Sequence, residues 1–239
     1  RRELRKVVDR EMMPFVDEWE EKGEFPRELY KKASDFGLSR MGYPEEYGGI
    51  KEGLDRFHSI VTAEEMARMG AGGINASLMV HGIGLPPILA IGSPEMKMHI
   101  APQVLSGDKL ISLAITEPSG GSDVAQLKTR AVREGDHFVV NGSKMFITGG
   151  MRADYFTTAV RTGGPGMGGI SLLLIEADTP GVSRTNLKKQ GWWASDTAAI
   201  YFQDVRVPAA NLIGGENQGF MGIMLNFNGE RLGMAASAN

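Results

Sequence analysis

Two short stretches of this 239-residue chain hold the residues best suited to chemistry. In Leu113–Ser122, LAITEPSGGS, small and polar turn residues follow directly on an apolar run. Backbone N–H groups at such a turn can face a ligand, glycine lets the backbone approach closely, and Thr116 and Ser122 add hydroxyls. In Lys144–Gly149, KMFITG, the residues Phe146, Ile147 and Thr148 stand at the end of another apolar run. An aromatic ring next to a hydroxyl can cover a flat heteroaromatic group, so the two stretches together point to a flavin site. The polar groups of the first turn also suit the phosphates of an acyl carrier. The segment Pro118–Asp123 reads equally well as a surface loop, because Pro, Gly and Ser make turns for backbone reasons alone. Lys144 and Arg130 read as the solvated faces of strands.

Other motifs point elsewhere and carry less. Gly164–Gly169 spells G-x-G-x-x-G, but a dinucleotide site needs a helix after it, and here the strand-like run ISLLLIE follows. It reads as a hairpin loop. The four histidines show no metal-ligand spacing, and His81 lies in an apolar helical stretch as a core residue. With no cysteine there is no disulfide framework, thiolate metal site or cysteine nucleophile. The serine elbow G-x-S-x-G is absent, since Val124 stands where its last glycine belongs. Near the C-terminus Glu230 has two readings. It is a solvated helix position paired with a neighbouring Arg, or it sits at the rim of an apolar helix face where burial raises its pKa into the range of a general base.

The elements that must position these residues fall into a helical part and a strand part. Helical spacing of apolar residues runs from Leu4 to Trp19 with a kink at Pro14, then from Pro26 to a stop at Gly37. Further helices are expected over Asp55–Met69, over Ile74–Ile91 with Gly and Pro-Pro breaks, and from Ser93-Pro94 to about Ser106. From Ile111 the pattern changes to short β-type runs. These are expected over 111–116, 127–132, 137–140, 145–147, 155–160, 170–175 and 198–202, with Gly135-Asp136 and Asn141-Gly142 as hairpin turns. Strands at this spacing predict a sandwich or barrel. After Gly214-Gly215 the run GFMGIMLNFNGERLGM opens another helix. Its pattern continues to Asn239 without a stop signal, which leads us to expect a further C-terminal region. The fold class is therefore α+β and multidomain: an α-helical N-terminal domain (1–110), a β-sandwich or barrel middle domain (111–214) and the start of a C-terminal helical bundle (215–239). Trp192, Trp193 and the apolar stretch Leu78–Leu89 read chiefly as core.

A net charge of −3 gives no basic footprint for nucleic acid, and the apolar runs are too short and interrupted to span a bilayer. The N-terminus mixes Arg and Lys with Glu3, Asp9 and Glu11, unlike a targeting sequence, and it begins without Met. We expect a cytoplasmic protein, with the mitochondrial matrix as the alternative.

In order along the chain, the motifs AITEPSGGSD (114–123), NGSKMFITGG (141–150), the run 191–214 and GENQGF (215–220) resemble the acyl-CoA dehydrogenases. Gln126 departs from the family, where a small residue is usual. The resemblance implies FAD as cofactor, lined by Leu113, Ala114, Ile115, Thr116, Gly121 and Ser122. It implies that Phe146 covers the flavin, that Ile147 belongs to the same segment and that the Thr148 hydroxyl reaches N5. Ser122 also resembles a residue contacting the CoA portion. Asn228-Gly229-Glu230-Arg231 resembles the long-chain and isovaleryl-CoA type, in which the catalytic base lies on the first bundle helix. That makes Glu230 the base, with Asn228 and Arg231 beside the substrate. The implied reaction is α,β-dehydrogenation of an acyl-CoA, with electrons passing to an electron-transfer flavoprotein and a homotetramer at full length. A same-fold oxidase or monooxygenase using O₂, or a non-catalytic binding relative, are the alternatives. By the same resemblance, a protein ending at Asn239 is expected to bind FAD weakly.

Overall fold

The computed structural model describes residues 1–225. The N-terminal part is helical: α1 (Arg2–Glu11), α2 (Val16–Lys22), α3 (Glu28–Asp35), α4 (Arg56–Ala67), α5 (Gly72–Leu78), α6 (His81–Gly84), α7 (Pro86–Ile91) and α8 (Pro94–Leu105). Pro14 lies in a 3₁₀ turn that separates α1 from α2, as the kink requires. The third helix begins at Glu28, two residues after Pro26, whose carbonyl accepts the Leu29 N–H. Asp55 caps α4 through the N–H groups of Phe57 and His58, and Ser93 caps α8 through that of Met96. The apolar faces of α1 to α5 meet in a core of Val8, Met12, Phe25, Leu29, Met66 and Ile74.

The strands are β1 (Ile111–Ala114), β2 (Arg130–Glu134), β3 (His137–Thr148), β4 (Tyr155–Arg161), β5 (Ile170–Glu176), β6 (Val182–Asn186), β7 (Thr197–Pro208) and β8 (Leu212–Ile213). They form one eight-stranded sheet in the order β6-β7-β3-β2-β4-β5-β8, with β1 running parallel to β4. The sheet curls so that Ala131, Phe138, Val140, Phe156, Leu173, Ile200 and Val205 share one core. The other faces of β1, β4 and β5 pack on Leu85, Ile88, Ile100 and Val104 of the helical part. Strands β4 and β5 are therefore buried on both faces, and their few polar residues, Thr157, Thr158 and Ser171, are buried with the rest. A further helical segment begins at 219, with Ile223 buried against the same core.

Several sequence expectations are corrected. Gly135-Asp136 is the β2–β3 turn, but Asn141-Gly142 is not a turn, and 137–140 and 145–147 belong to the single strand β3. Gly142 is required there because a Cβ would lie 2.6 Å from Thr129 Oγ1. Asn141 meanwhile bonds both the N–H and the carboxylate of Asp204 on β7. Asp204, at φ +50°, is the extra residue of a β-bulge, so the Asn amide satisfies a backbone that the ladder leaves out. The strand expected from Leu127 starts at Arg130; β6, which is largely polar, and β8, only two residues long, give no β-type run in the sequence. Trp192 and Trp193 are not core: both are exposed, and Trp192 lays its ring against the bare backbone of Gly72 and its own backbone and Cβ against Gly73. The stretch Leu78–Leu89 does supply core, with Leu78, Leu85 and Ile88 buried.

Candidate functional site

The two motif segments lie side by side. Past the end of β1, the Thr116 carbonyl accepts the Met145 N–H at 2.8 Å, and the Ser112 hydroxyl donates to the Thr148 carbonyl at 2.8 Å. Ala114, Ile115 and Ile147 are buried, and the Ile115 and Ile147 carbonyls accept from Lys144 Nζ and the Gly150 N–H, while Leu113, Thr116 and Thr148 are half-buried. Phe146 is 67 % exposed and adopts φ +62°. The cause is a second bulge. Lys144 pairs with Ile200 but Ile147 with Ala198, so β3 has one residue more than β7 between these pairs. The extra residue flips the alternation, throwing Phe146 outward and Ile147 inward.

The turn between the segments is closed by reciprocal backbone bonds between Glu117 and Gly120, with Pro118 and Ser119 at its tip. Gly121 packs on Thr116, where a Cβ would come within 3.0 Å of Thr116 Cγ2. Gly121 and Ser122 are exposed and line a shallow hollow of about 290 Å³ with Asp123 and Gln126. A neighbouring open hollow of about 540 Å³ is bordered by Lys128, Arg130 and the β4–β5 loop. Arg161 braces both, donating to the carbonyls of Ala125 and Leu127 on one side and of Gly164 and Gly166 on the other. The G-x-G-x-x-G run is thus a hairpin loop held by an arginine.

Beneath the junction lies a feature that the sequence reading missed. Lys144 is fully buried rather than solvated. Its Nζ donates to Glu117 Oε1 at 2.9 Å and to the Ile115 carbonyl at 3.0 Å. Glu117, also buried, accepts the Lys128 N–H at 2.6 Å and the Thr129 N–H at 2.8 Å. Burial pulls the Lys144 ammonium down to about 8, against the opposing pull of Glu117. For Glu117, burial works to raise the carboxyl, but Lys144 and the hydrogen bonds from Thr129 outweigh it, and it stays below its ordinary value. The available signal was parity, since Lys144 shares the inward phase of Phe138 and Val140.

Two groups with shifted titration, Glu65 and His81, belong to the helical part. The Glu65 carboxylate is gripped by Arg5 through two bonds and lies near Arg1 and Arg68, which holds it down at about 2. His81 is buried beside Tyr43, and burial pushes it down to about 4. An apolar groove of about 420 Å³ lies between α1 and α4, away from the motif segments. No group of His, Asp and Glu among the described residues could hold a metal ion. No single helix among them is long and apolar enough to cross a membrane. Glu230, Asn228 and Arg231 lie outside the described residues.

Residues 1–108 match the family described as acyl-CoA dehydrogenase, N-terminal domain, and residues 112–205 match acyl-CoA dehydrogenase, middle domain. The chain is 40 % identical over 228 residues to a mitochondrial isobutyryl-CoA dehydrogenase of Bos taurus, covering 95 % of this chain and 54 % of that protein. It is 50 % identical to a probable acyl-CoA dehydrogenase of Mycobacterium abscessus, with a TM-score of 0.95 over 99 % of this chain and 63 % of that one. A glutaryl-CoA dehydrogenase of Mycobacterium smegmatis in complex with FADH2 is 30 % identical, with a TM-score of 0.89 over 98 % of this chain and 59 % of that one. The chain thus spans little more than half the length of the bovine relative.

Proposed function

The chain belongs to the acyl-CoA dehydrogenase family, and from that premise we propose that it carries out FAD-dependent α,β-dehydrogenation of an acyl-CoA thioester to the trans-2-enoyl-CoA. The observation that carries this reading is Phe146, held outward in left-handed backbone next to Met145, whose N–H binds the Thr116 carbonyl, and two residues before the half-buried Thr148. Left-handed backbone at a residue other than glycine costs about 1–2 kcal/mol. An exposed ring recovers little of that from burial. A flat ligand lying on the ring accounts for both features.

The residues fit a flavin. The backbone of Ile115 and Thr116 would meet its pyrimidine edge, Phe146 would cover its ring, and the Thr148 hydroxyl would donate towards N5. Leu113 would border the cofactor, fully buried Ala114 would support that stretch of β1 from the core, and Gly121 would leave room for close backbone approach. Ser122 serves both the cofactor and the CoA portion of the substrate. FAD, when bound, takes up the hydride that leaves the β-carbon. Glu230 would take the α-proton onto its carboxylate, and Asn228 and Arg231 would bind the substrate. An α C–H is a weak acid, so the charge growing on the thioester oxygen needs backbone N–H donors and the exclusion of water. We further propose an electron-transfer flavoprotein as electron acceptor, a homotetramer at full length and a cytoplasmic setting.

The test is an anaerobic visible spectrum of the purified protein titrated with a panel of acyl-CoAs. Bleaching of a flavin band by one chain class supports the reaction and identifies its substrates; a flavin band that no acyl-CoA bleaches refutes it. Glu230→Gln should abolish the bleaching, and a variant that bleaches at the parent rate removes Glu230 from the role of base.

A further inference from the structure

We infer that Lys144 and Glu117 are a positioning pair: buried under the junction of the two motif segments, they fix the phase of β3 and so decide which residue faces the cofactor. The inference rests on the FAD reading above. Lys144 ties the N5-side segment to Ile115, and Glu117 ties the pyrimidine-side segment to the backbone of Lys128 and Thr129. Three stretches of chain thus converge on one charged contact with 0 % and 5 % residual exposure.

Such a pair is poorly explained by stability alone. Two charges lose their hydration on burial, and apolar residues of similar volume usually serve a fold as well or better. A buried ion pair does, however, have only one geometry that satisfies it. With the Lys144 ammonium held on Glu117, the extra residue of β3 must fall after position 144, at Met145–Phe146. Phe146 then points outward and Ile147 inward. If the bulge moved by one residue, these faces would exchange. An apolar residue at 144 would tolerate either arrangement, because packing has no comparable directional demand.

The experiment uses the full chain and compares the parent with Lys144→Met and with Glu117→Leu/Lys144→Met. The double variant removes both charges together and should melt above Lys144→Met, though below the parent because the Thr129 N–H and the Ile115 carbonyl lose their partners. Its FAD dissociation constant, followed by quenching of flavin fluorescence, should nevertheless rise about tenfold or more. Hydrogen exchange in the FAD-free protein should show the Met145 amide opening about tenfold faster or more, with Phe138 and Val140 unchanged. In Lys144→Met the same amide should open, with a lowered midpoint from the unpaired carboxylate. If FAD affinity and Met145 protection in the double variant both hold parent values, the pair is merely structural and the inference falls. A parent that binds no FAD overturns the cofactor reading, while the exchange data still decide whether the pair sets the phase of β3.

Discussion

Two phenylalanines of one strand should respond to substitution in opposite ways. Phe146 is 67 % exposed, so roughly a third of its side chain is buried, and the full burial of a Phe is worth about 1.5–3 kcal/mol. Removing the ring therefore costs roughly 0.5–1 kcal/mol. Glycine adds a backbone-entropy cost of about 0.5–1 kcal/mol, but it relieves left-handed strain of about 1–2 kcal/mol. Phe146→Gly should thus lie within about 1 kcal/mol of the parent, or about 2–4 °C in thermal midpoint for a chain of this size. Phe146→Ala loses the same ring and keeps the strain, so it should be slightly less stable than the glycine variant. Phe138 is fully buried eight residues earlier, and Phe138→Ala should cost about 3–5 kcal/mol. Differential scanning calorimetry of the three FAD-free variants reads the stabilities, and flavin fluorescence reads cofactor retention, which should fall in both Phe146 variants. If Phe146→Gly lowered the midpoint as far as Phe138→Ala, the ring would be part of the core and the argument from its exposure would be refuted.

Three further outcomes follow from the same geometry. Gly142→Ala places a Cβ 2.6 Å from Thr129 Oγ1 at a φ of +146°, and should destabilise by about 1–3 kcal/mol in a thermal melt. Acid should weaken the fold in two stages. His81, at about 4 in the folded protein against 6.5 unfolded, contributes stability that is full above pH 6.5 and lost as pH falls towards 4. Glu65, at about 2 against 4.5, contributes stability that is full above pH 4.5 and lost as pH falls towards 2. Urea denaturation across pH should lose the lower stage in Glu65→Gln and keep the upper one; an unchanged profile would contradict the assignment. Ser93→Ala removes the N-cap bond to Met96 and should cost about 1 kcal/mol, read by the shift in denaturant midpoint.

What the sequence determined by itself was local. Ser93-Pro94 and Asp55 announce helix starts because a short oxygen-bearing side chain satisfies the first free N–H groups. The runs 155–160 and 170–175 read as buried strands because both of their faces are covered. The ordered motifs around Leu113–Ser122 and Phe146–Thr148 were likewise legible, because their turn residues and spacing stand out within a few positions. Tertiary structure alone decided the phase. Nothing local distinguishes Asn141-Gly142 in a bulged strand from the same pair in a hairpin turn. The choice is made by Thr129 pressing on Gly142 and by Asp204 pairing with Asn141. Nor does a lysine in a strand reveal whether it meets water or a carboxylate. Lys144 is buried because Glu117, remote in sequence, is carried to the same point by the parallel pairing of β1 with β4 and the crossing of Thr116 to Met145. Local preferences extend over a few residues, whereas the desolvation of a charge depends on every segment that packs around it.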